Sequence, residues 1–184
     1  MSKIVLFTGG ARSGKSSRAE QYAAYHQRPV VYLATAEARD DEMQARIAQH
    51  QAQRPGTWRT YEEPLAVSAV LATLPQGTLV LLDCLSLLVS NLLLAHELNP
   101  QFVVSNEVAS MLNSVQQRNL TLIVVSNEVG MGIVPEYPLG RIYRDLLGRA
   151  NQQVAAAAAE VYVVVCGIVI DVRAQEAIWA RQIP

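Results

Sequence analysis

The chain has 184 residues, 51% of them hydrophobic and 17% charged, and its 15 Lys+Arg against 16 Asp+Glu leave a formal net charge of −1. That balance excludes a broad polyanion-binding face, which needs a basic surface, so nucleic acid is not an expected partner. The absence of any 18-residue apolar run excludes a transmembrane helix.

The length suits one catalytic domain over residues 1–184 with its own core. The opening MSKIVLFTGG lacks the long apolar stretch of a secretory leader. Ile4–Thr8 predicts the first strand, and Gly14–His26 the helix after it. Val30–Thr35 predicts a second strand, followed by helical periodicity over Asp40–Gln53. A helix over Leu65–Leu74 leads into a strand at Leu79–Asp83. Helices over Ser86–Glu97 and Phe102–Gln117 fill the gap before a strand at Leu122–Ser126. A long helix over Leu139–Glu160, including the Ala155–Ala159 run, precedes strands at Val161–Cys166 and Ile168–Val172, the last an edge hairpin or strand. The apolar runs are continuous and rich in β-branched residues, as in strands covered on both faces. Their alternation with helices implies an α/β fold of P-loop NTPase type, a mostly parallel open sheet with helices on both faces.

The strongest local signal is Gly9-Gly10-Ala11-Arg12-Ser13-Gly14-Lys15-Ser16, which satisfies G-x-x-x-x-G-K-[ST] between a strand and a helix. Glycines let several backbone N–H groups converge on one anion, and the helix N-terminus adds its positive end. Lys15 would reach the β- and γ-phosphates and Ser16 would ligate Mg²⁺. Thirteen of the fifteen basic residues are arginine and the only lysines are Lys3 and Lys15, so a lysine at this position stands out. An ordinary Gly-rich turn is the competing reading. Asp83, at the end of LVLLD, is placed for a second Mg²⁺ ligand, with a helix N-cap as the alternative.

No lysine follows position 15, so the guanine-reading Asn-Lys-x-Asp of regulatory GTPases is absent. The small chain points instead to a small-molecule kinase or nucleotidyltransferase. Asp40, Asp41 and Glu42 open a helix with its dipole, and Met43, Arg46, Ile47 and His50 share one face. By spacing alone His50 reads either as a C-terminal dipole partner, as a surface residue, or as a catalytic imidazole.

Taken together, the segments TGGARSGKS (8–16), YLAT (32–35), DDEMQARIAQH (40–50), RP (54–55), WRTYEE (58–63), LLDCLS (81–86), SNEVGMGIVPE (126–136) and GRIYRDLLGRANQ (140–152) span about four-fifths of the chain. In that order they resemble the bifunctional adenosylcobinamide kinase / adenosylcobinamide-phosphate guanylyltransferase family of cobalamin biosynthesis. The resemblance implies a P-loop enzyme working as a homo-oligomer, a trimer, and the two lone cysteines point to a reducing cytoplasm. A nucleoside triphosphate, ATP or GTP, would phosphorylate the hydroxyl of the aminopropanol arm of adenosylcobinamide. GTP would then give GMP to adenosylcobinamide phosphate, with GMP held on a histidine that matches His50; Gln49 stands where members of the family can carry a second histidine. The same resemblance assigns Ala34, Thr35, Ala36, Gln51, Ala52, Gln53, Arg54, Glu62 and Asp83 to the nucleotide site, with Mg²⁺ as the cofactor.

Several residues keep more than one reading. Glu62, beside Glu63 and Pro64, is either surface charge, a helix-start acid or a site residue. Asn127-Glu128 ends a strand at the ligand-binding edge of such sheets, and Gly130-Met131-Gly132 after it is either substrate-shaping or plain loop. Arg141, Arg144, Asp145 and Arg149 form a helix stripe that either reaches phosphates or is salt-bridged in solvent. Trp58, His26 and His96 read as structural, with both histidines exposed near helix ends. Cys84 and Cys166 match no metal or redox spacing and read as buried thiols in a reducing compartment. Two other functions compete: a P-loop kinase of another small-molecule alcohol, and a slow nucleotide-dependent regulatory switch.

Overall fold

A computed structural model describes residues 1–37 and 55–177, and elements are numbered over those residues. The predicted helix at 40–53 lies outside them. The strands are β1 (Lys3–Gly9), β2 (Val30–Ala34), β3 (Arg59–Glu62), β4 (Leu79–Asp83), β5 (Thr121–Asn127), β6 (Glu160–Val165) and β7 (Ile168–Asp171). The helices are α1 (Lys15–Tyr25), α2 (Val67–Thr73), α3 (Leu85–Ala95), α4 (Pro100–Gln117) and α5 (Pro138–Ala157). The strands form one sheet in the order β3-β2-β4-β5-β1-β6-β7. Every neighbouring pair is parallel except the β6–β7 hairpin. The α/β, mostly parallel architecture read from the alternating runs is the one observed.

The continuous apolar runs are explained by two separate cores. Ile4, Leu6, Leu33, Val80, Leu82, Leu122 and Val124 face α2, α3, α4 and α5. Their alternates Val5, Phe7, Tyr32, Leu79, Leu81, Ile123 and Val125 face α1 through Ala19 and Ala23. Successive side chains of a strand point to opposite faces, so a sheet covered twice needs apolar residues at every position. The helices end where the sheet requires it. Asn99-Pro100 starts α4 two residues before the predicted Phe102, because proline at the first turn sacrifices no hydrogen bond.

Three readings need correction. Arg59–Glu62 is a strand that the apolar pattern did not reveal, since β3 is an edge whose side chains are mostly exposed. The helix predicted to Glu160 stops at Ala157, and Ala158 is extended. Alanine favours helix, but the Ala159 N–H donates to Ile4 O at 2.9 Å and Glu160 pairs with Val5, so the sheet claims that backbone. Cys166 is no buried strand end; it sits exposed in the β6–β7 turn at φ 50°.

The register aligns the carboxyl ends. Gly9 pairs with Asn127, Asp83 with Val125 and with Ala34, and Ala34 with Glu62. β5 separates β1 from β4 and so brings the loop after β1 and the acid ending β4 to one edge. In open α/β sheets this carboxyl edge is where ligands bind.

Candidate active site

The 9–16 loop connects β1 to α1 in a tight arch. Gly9 has no room for a side chain, because an added Cβ would lie 2.4 Å from Val164 O and 2.8 Å from Ser13 Oγ. Gly14 takes φ 93° as the N-cap of α1, a left-handed conformation that costs glycine nothing. The first turn of α1 carries Lys15, Ser16, Ser17 and Arg18 and no acid, so no residue of that turn offsets the positive helix end. Lys15 is buried, with its Nζ donating to Gly10 O at 3.1 Å across the arch. Ser13 Oγ is buried without a hydrogen-bond partner.

The arch is braced from outside. The Gly167 N–H donates to Ser13 O at 2.8 Å, and Arg18 Nε donates to Gly167 O at 2.9 Å. The β6–β7 turn thus holds the loop from one side, and the Glu128 N–H holds the end of β1 by donating to Gly9 O at 3.0 Å.

Asp83 meets this loop across the sheet. Ser16 Oγ lies 3.5 Å from Asp83 Oδ1, and Tyr32 Oη donates to Asp83 Oδ2 at 2.5 Å. The N-cap of α3 is Cys84, without a side-chain cap, so the helix-cap reading of Asp83 gives way to a carboxylate turned toward the loop. Two hard oxygens at this spacing suit Mg²⁺, which takes one or two protein oxygens and completes its shell with phosphates and water. Among the described residues no three His, Cys, Asp or Glu side chains form a metal cluster.

Behind Asp83 lies a buried polar joint. Thr35 is fully buried; its Oγ1 donates to Cys84 O at 2.7 Å and accepts the Cys84 N–H at 2.9 Å. Its own N–H donates to Asp83 O, and its carbonyl accepts Asn91 Nδ2 at 2.9 Å. The Thr35 side chain joins the end of β2 to the end of β4. Asn91 also donates to Pro64 O at 3.1 Å. Burial pushes the Cys84 thiol up to about 11, with the Asp83 carboxylate adding to the effect. That thiol is no nucleophile at neutral pH.

The remaining predicted residues divide. Gly10, Ala11 and Arg12 are exposed on the loop; Ala34 ends β2 and Ala36 follows it, both half-buried. Glu62 is exposed at the end of β3, while Glu63 accepts the Leu65 and Ala66 N–H groups and so is the helix-start acid of that pair. Glu128 bends back to accept the Gly130 N–H at 2.5 Å, and Asn127 O accepts Asn151 Nδ2. Two members of the arginine stripe make local contacts. Arg141 donates to Pro135 O and Glu136 O, and Arg144 pairs with Asp145 at 3.2 Å. Trp58 stacks on Tyr32, and His96 is exposed; His26 is only half-buried, with its Nε2 covered. His50, Gln51, Ala52, Gln53 and Arg54 lie outside the described residues. Sequence reasoning missed Tyr32 and Asn91, since each looks like ordinary core or helix in one dimension. The only one-dimensional signal for either is polarity within an otherwise apolar segment.

Residues 5–172 match the family described as cobinamide kinase / cobinamide phosphate guanyltransferase. The chain is 40% identical over 181 residues to the bifunctional adenosylcobalamin biosynthesis protein CobU of Escherichia coli (strain K12), covering 92% of this chain and 99% of that protein. It is 41% identical over 182 residues to the protein of the same name from Salmonella typhimurium, with coverage of 92% and 99%. A third relative, the bifunctional adenosylcobalamin biosynthesis protein CobP of Pseudomonas aeruginosa, is 42% identical over 171 residues, covering 92% and 97%.

Proposed function

The chain belongs to the cobinamide kinase / cobinamide phosphate guanyltransferase family, and from that membership we propose that one phosphate cradle serves both of its transfers. The protein is an enzyme with two activities, a cobinamide kinase and a cobinamide phosphate guanyltransferase, acting in cobalamin biosynthesis. The observation that carries the single-cradle reading is the convergence of the Lys15 amine, the Ser16 hydroxyl and the Asp83 carboxylate at one sheet edge.

In the kinase step the triphosphate of ATP or GTP lies on the 9–16 loop. The N–H groups at the start of α1 and the Lys15 ammonium hold the β- and γ-phosphates. Ser16 and Asp83 would hold Mg²⁺, which neutralises charge on the phosphate oxygens when bound. The hydroxyl of the aminopropanol arm of adenosylcobinamide attacks the γ-phosphorus, losing its proton, and the nucleoside diphosphate leaves.

In the guanylyl step the neutral imidazole of His50 attacks the α-phosphorus of GTP, and pyrophosphate departs. Lys15 and the loop N–H groups stabilise the charge that grows on that leaving group. An oxygen of adenosylcobinamide phosphate then displaces the imidazole and takes GMP, giving adenosylcobinamide-GDP. The family resemblance of DDEMQARIAQH supports His50 as this nucleophile. The nucleotide segment continues through Gln51–Arg54 and Glu62 on the same grounds.

The working form is a homo-oligomer, a trimer. Exposed apolar side chains at Met131, Ile133, Val134 and Tyr137 support self-association, and a sedimentation-equilibrium mass of one chain would exclude it. Two free cysteines, one exposed, suit a reducing cytoplasm. No helix among the described residues is long and apolar enough to cross a membrane.

Labelling with GTP radioactive at the α-phosphate tests the assignment. Wild type acquires acid-labile, base-stable label; His50→Ala acquires none yet keeps kinase activity, and Lys15→Ala loses at least a hundredfold in both activities. Full labelling of His50→Ala sinks the nucleophile, and survival of both activities in Lys15→Ala sinks the cradle.

A further inference from the structure

We propose that Tyr32 is a positioning residue for the metal-nucleotide site, its hydroxyl setting which oxygen of the Asp83 carboxylate faces Ser16. The inference rests on the phosphate-cradle reading and extends it to a side chain that the loop motif does not contain.

The argument begins with strand parity. Tyr32 on β2 pairs with Leu81 on β4, and Asp83 is two residues further along, on the same face of the sheet. That face is the one covered by α1, whose first turn carries Ser16. Tyr32, Asp83 and Ser16 therefore meet beneath the loop without any side chain crossing the sheet.

Tyr32 is only 1% exposed, and its ring belongs to the α1-side core, with Trp58 stacked on it at a centroid distance of 6.5 Å. A phenylalanine would satisfy the packing alone. The hydroxyl needs a polar partner once buried, and it finds Asp83 Oδ2 at 2.5 Å, the length of a charge-assisted O–H···O⁻ bond. The contact of Asp83 Oδ1 with Ser16 Oγ is much longer, at 3.5 Å. One carboxylate oxygen is thus tied down and the other is held toward the metal side. A carboxylate on a short stem rotates about χ2, so the tie removes rotations that would turn Oδ1 away from Ser16. Partners of this kind behind a metal ligand usually contribute 10- to 100-fold in metal affinity.

Tyr32→Phe keeps the ring and deletes only the hydroxyl. The experiment measures Mn²⁺ binding, as a probe for Mg²⁺, by electron paramagnetic resonance with a non-hydrolysable GTP analogue, and separately measures analogue affinity in EDTA. Tyr32→Phe should weaken Mn²⁺ binding about 10- to 100-fold and leave the EDTA affinity within about twofold of wild type. In an Asp83→Asn background the same change should cost less than about threefold, because the ligand it orients is gone. Three results overturn the proposal: unchanged Mn²⁺ affinity, an equal loss in EDTA, or a full effect persisting in Asp83→Asn. Loss of the fold in Tyr32→Phe, read by circular dichroism, also overturns it by making the hydroxyl a core requirement. Wild type that binds the analogue with no metal dependence would instead strike at the cradle reading beneath it.

Discussion

Thr35→Val tests whether the buried joint behind Asp83 holds the site together. Valine replaces the hydroxyl with a methyl of similar size, so the perturbation is chemical and opens no cavity. It removes both hydrogen bonds between Thr35 Oγ1 and the Cys84 backbone, at 2.7 and 2.9 Å. Thr35 is 0% exposed, so water cannot replace them. The Cys84 N–H is left unpaired, at about 1–3 kcal/mol, while Cys84 O still accepts the Leu88 N–H at 3.2 Å and loses only one of its two bonds, at about 1 kcal/mol, so the change predicts a loss of about 2–4 kcal/mol. For a domain of this size that lowers Tm by about 5–15 °C. Urea unfolding followed by circular dichroism reads the loss as a lower midpoint at constant m. Thr35→Ser is the control: it keeps both bonds and should cost only about 1 kcal/mol for its missing methyl. A Thr35→Val loss below about 0.5 kcal/mol, or one no larger than that of Thr35→Ser, would refute the reasoning.

Burial pushes the Glu160 carboxyl up, but Lys3 Nζ at 2.5 Å and the Tyr22 and Tyr162 hydroxyls outweigh it and hold the group below its usual range. Its contribution is therefore present above the unfolded value near 4.5 and is lost as pH falls through the lower folded value. Glu160→Gln should be less stable than wild type by about 1 kcal/mol at pH 7, with the gap closing below pH 4; a gap unchanged down to pH 3 would contradict this. For the thiols, Ellman's reagent should modify Cys166 rapidly in the native protein and Cys84 only on unfolding, because Cys166 is exposed while burial raises Cys84 to about 11. Two fast thiols per chain would refute that.

What was legible in one dimension was local. The G-x-x-x-x-G-K-S loop needs only its own glycines and the strand and helix that flank it, so its shape follows from contiguous residues. The strands of the sheet's interior were legible because burial on both faces writes apolar residues at every position. β3 was not, since an edge strand exposed to solvent carries the polar residues of a loop. The alanine run at 155–159 misled for the opposite reason. Its propensity is helical, but strand pairing to β1, more than 150 residues away, decides where the helix stops.

The sequence by itself determined the fold class, the phosphate loop and the family resemblance, because each is carried by residues close together or by a pattern of burial. Only the tertiary structure decided what Asp83 touches. Ser16 is 67 residues from Asp83 and Tyr32 is 51, and the strand order that inserts β5 between β1 and β4 brings them to one edge. A tyrosine in an apolar strand reads as core until its hydroxyl is found against a carboxylate, and the backbone joint made by the Thr35 hydroxyl shows only in three dimensions. Side-chain roles of that kind depend on distance in space, which a linear chain does not encode locally.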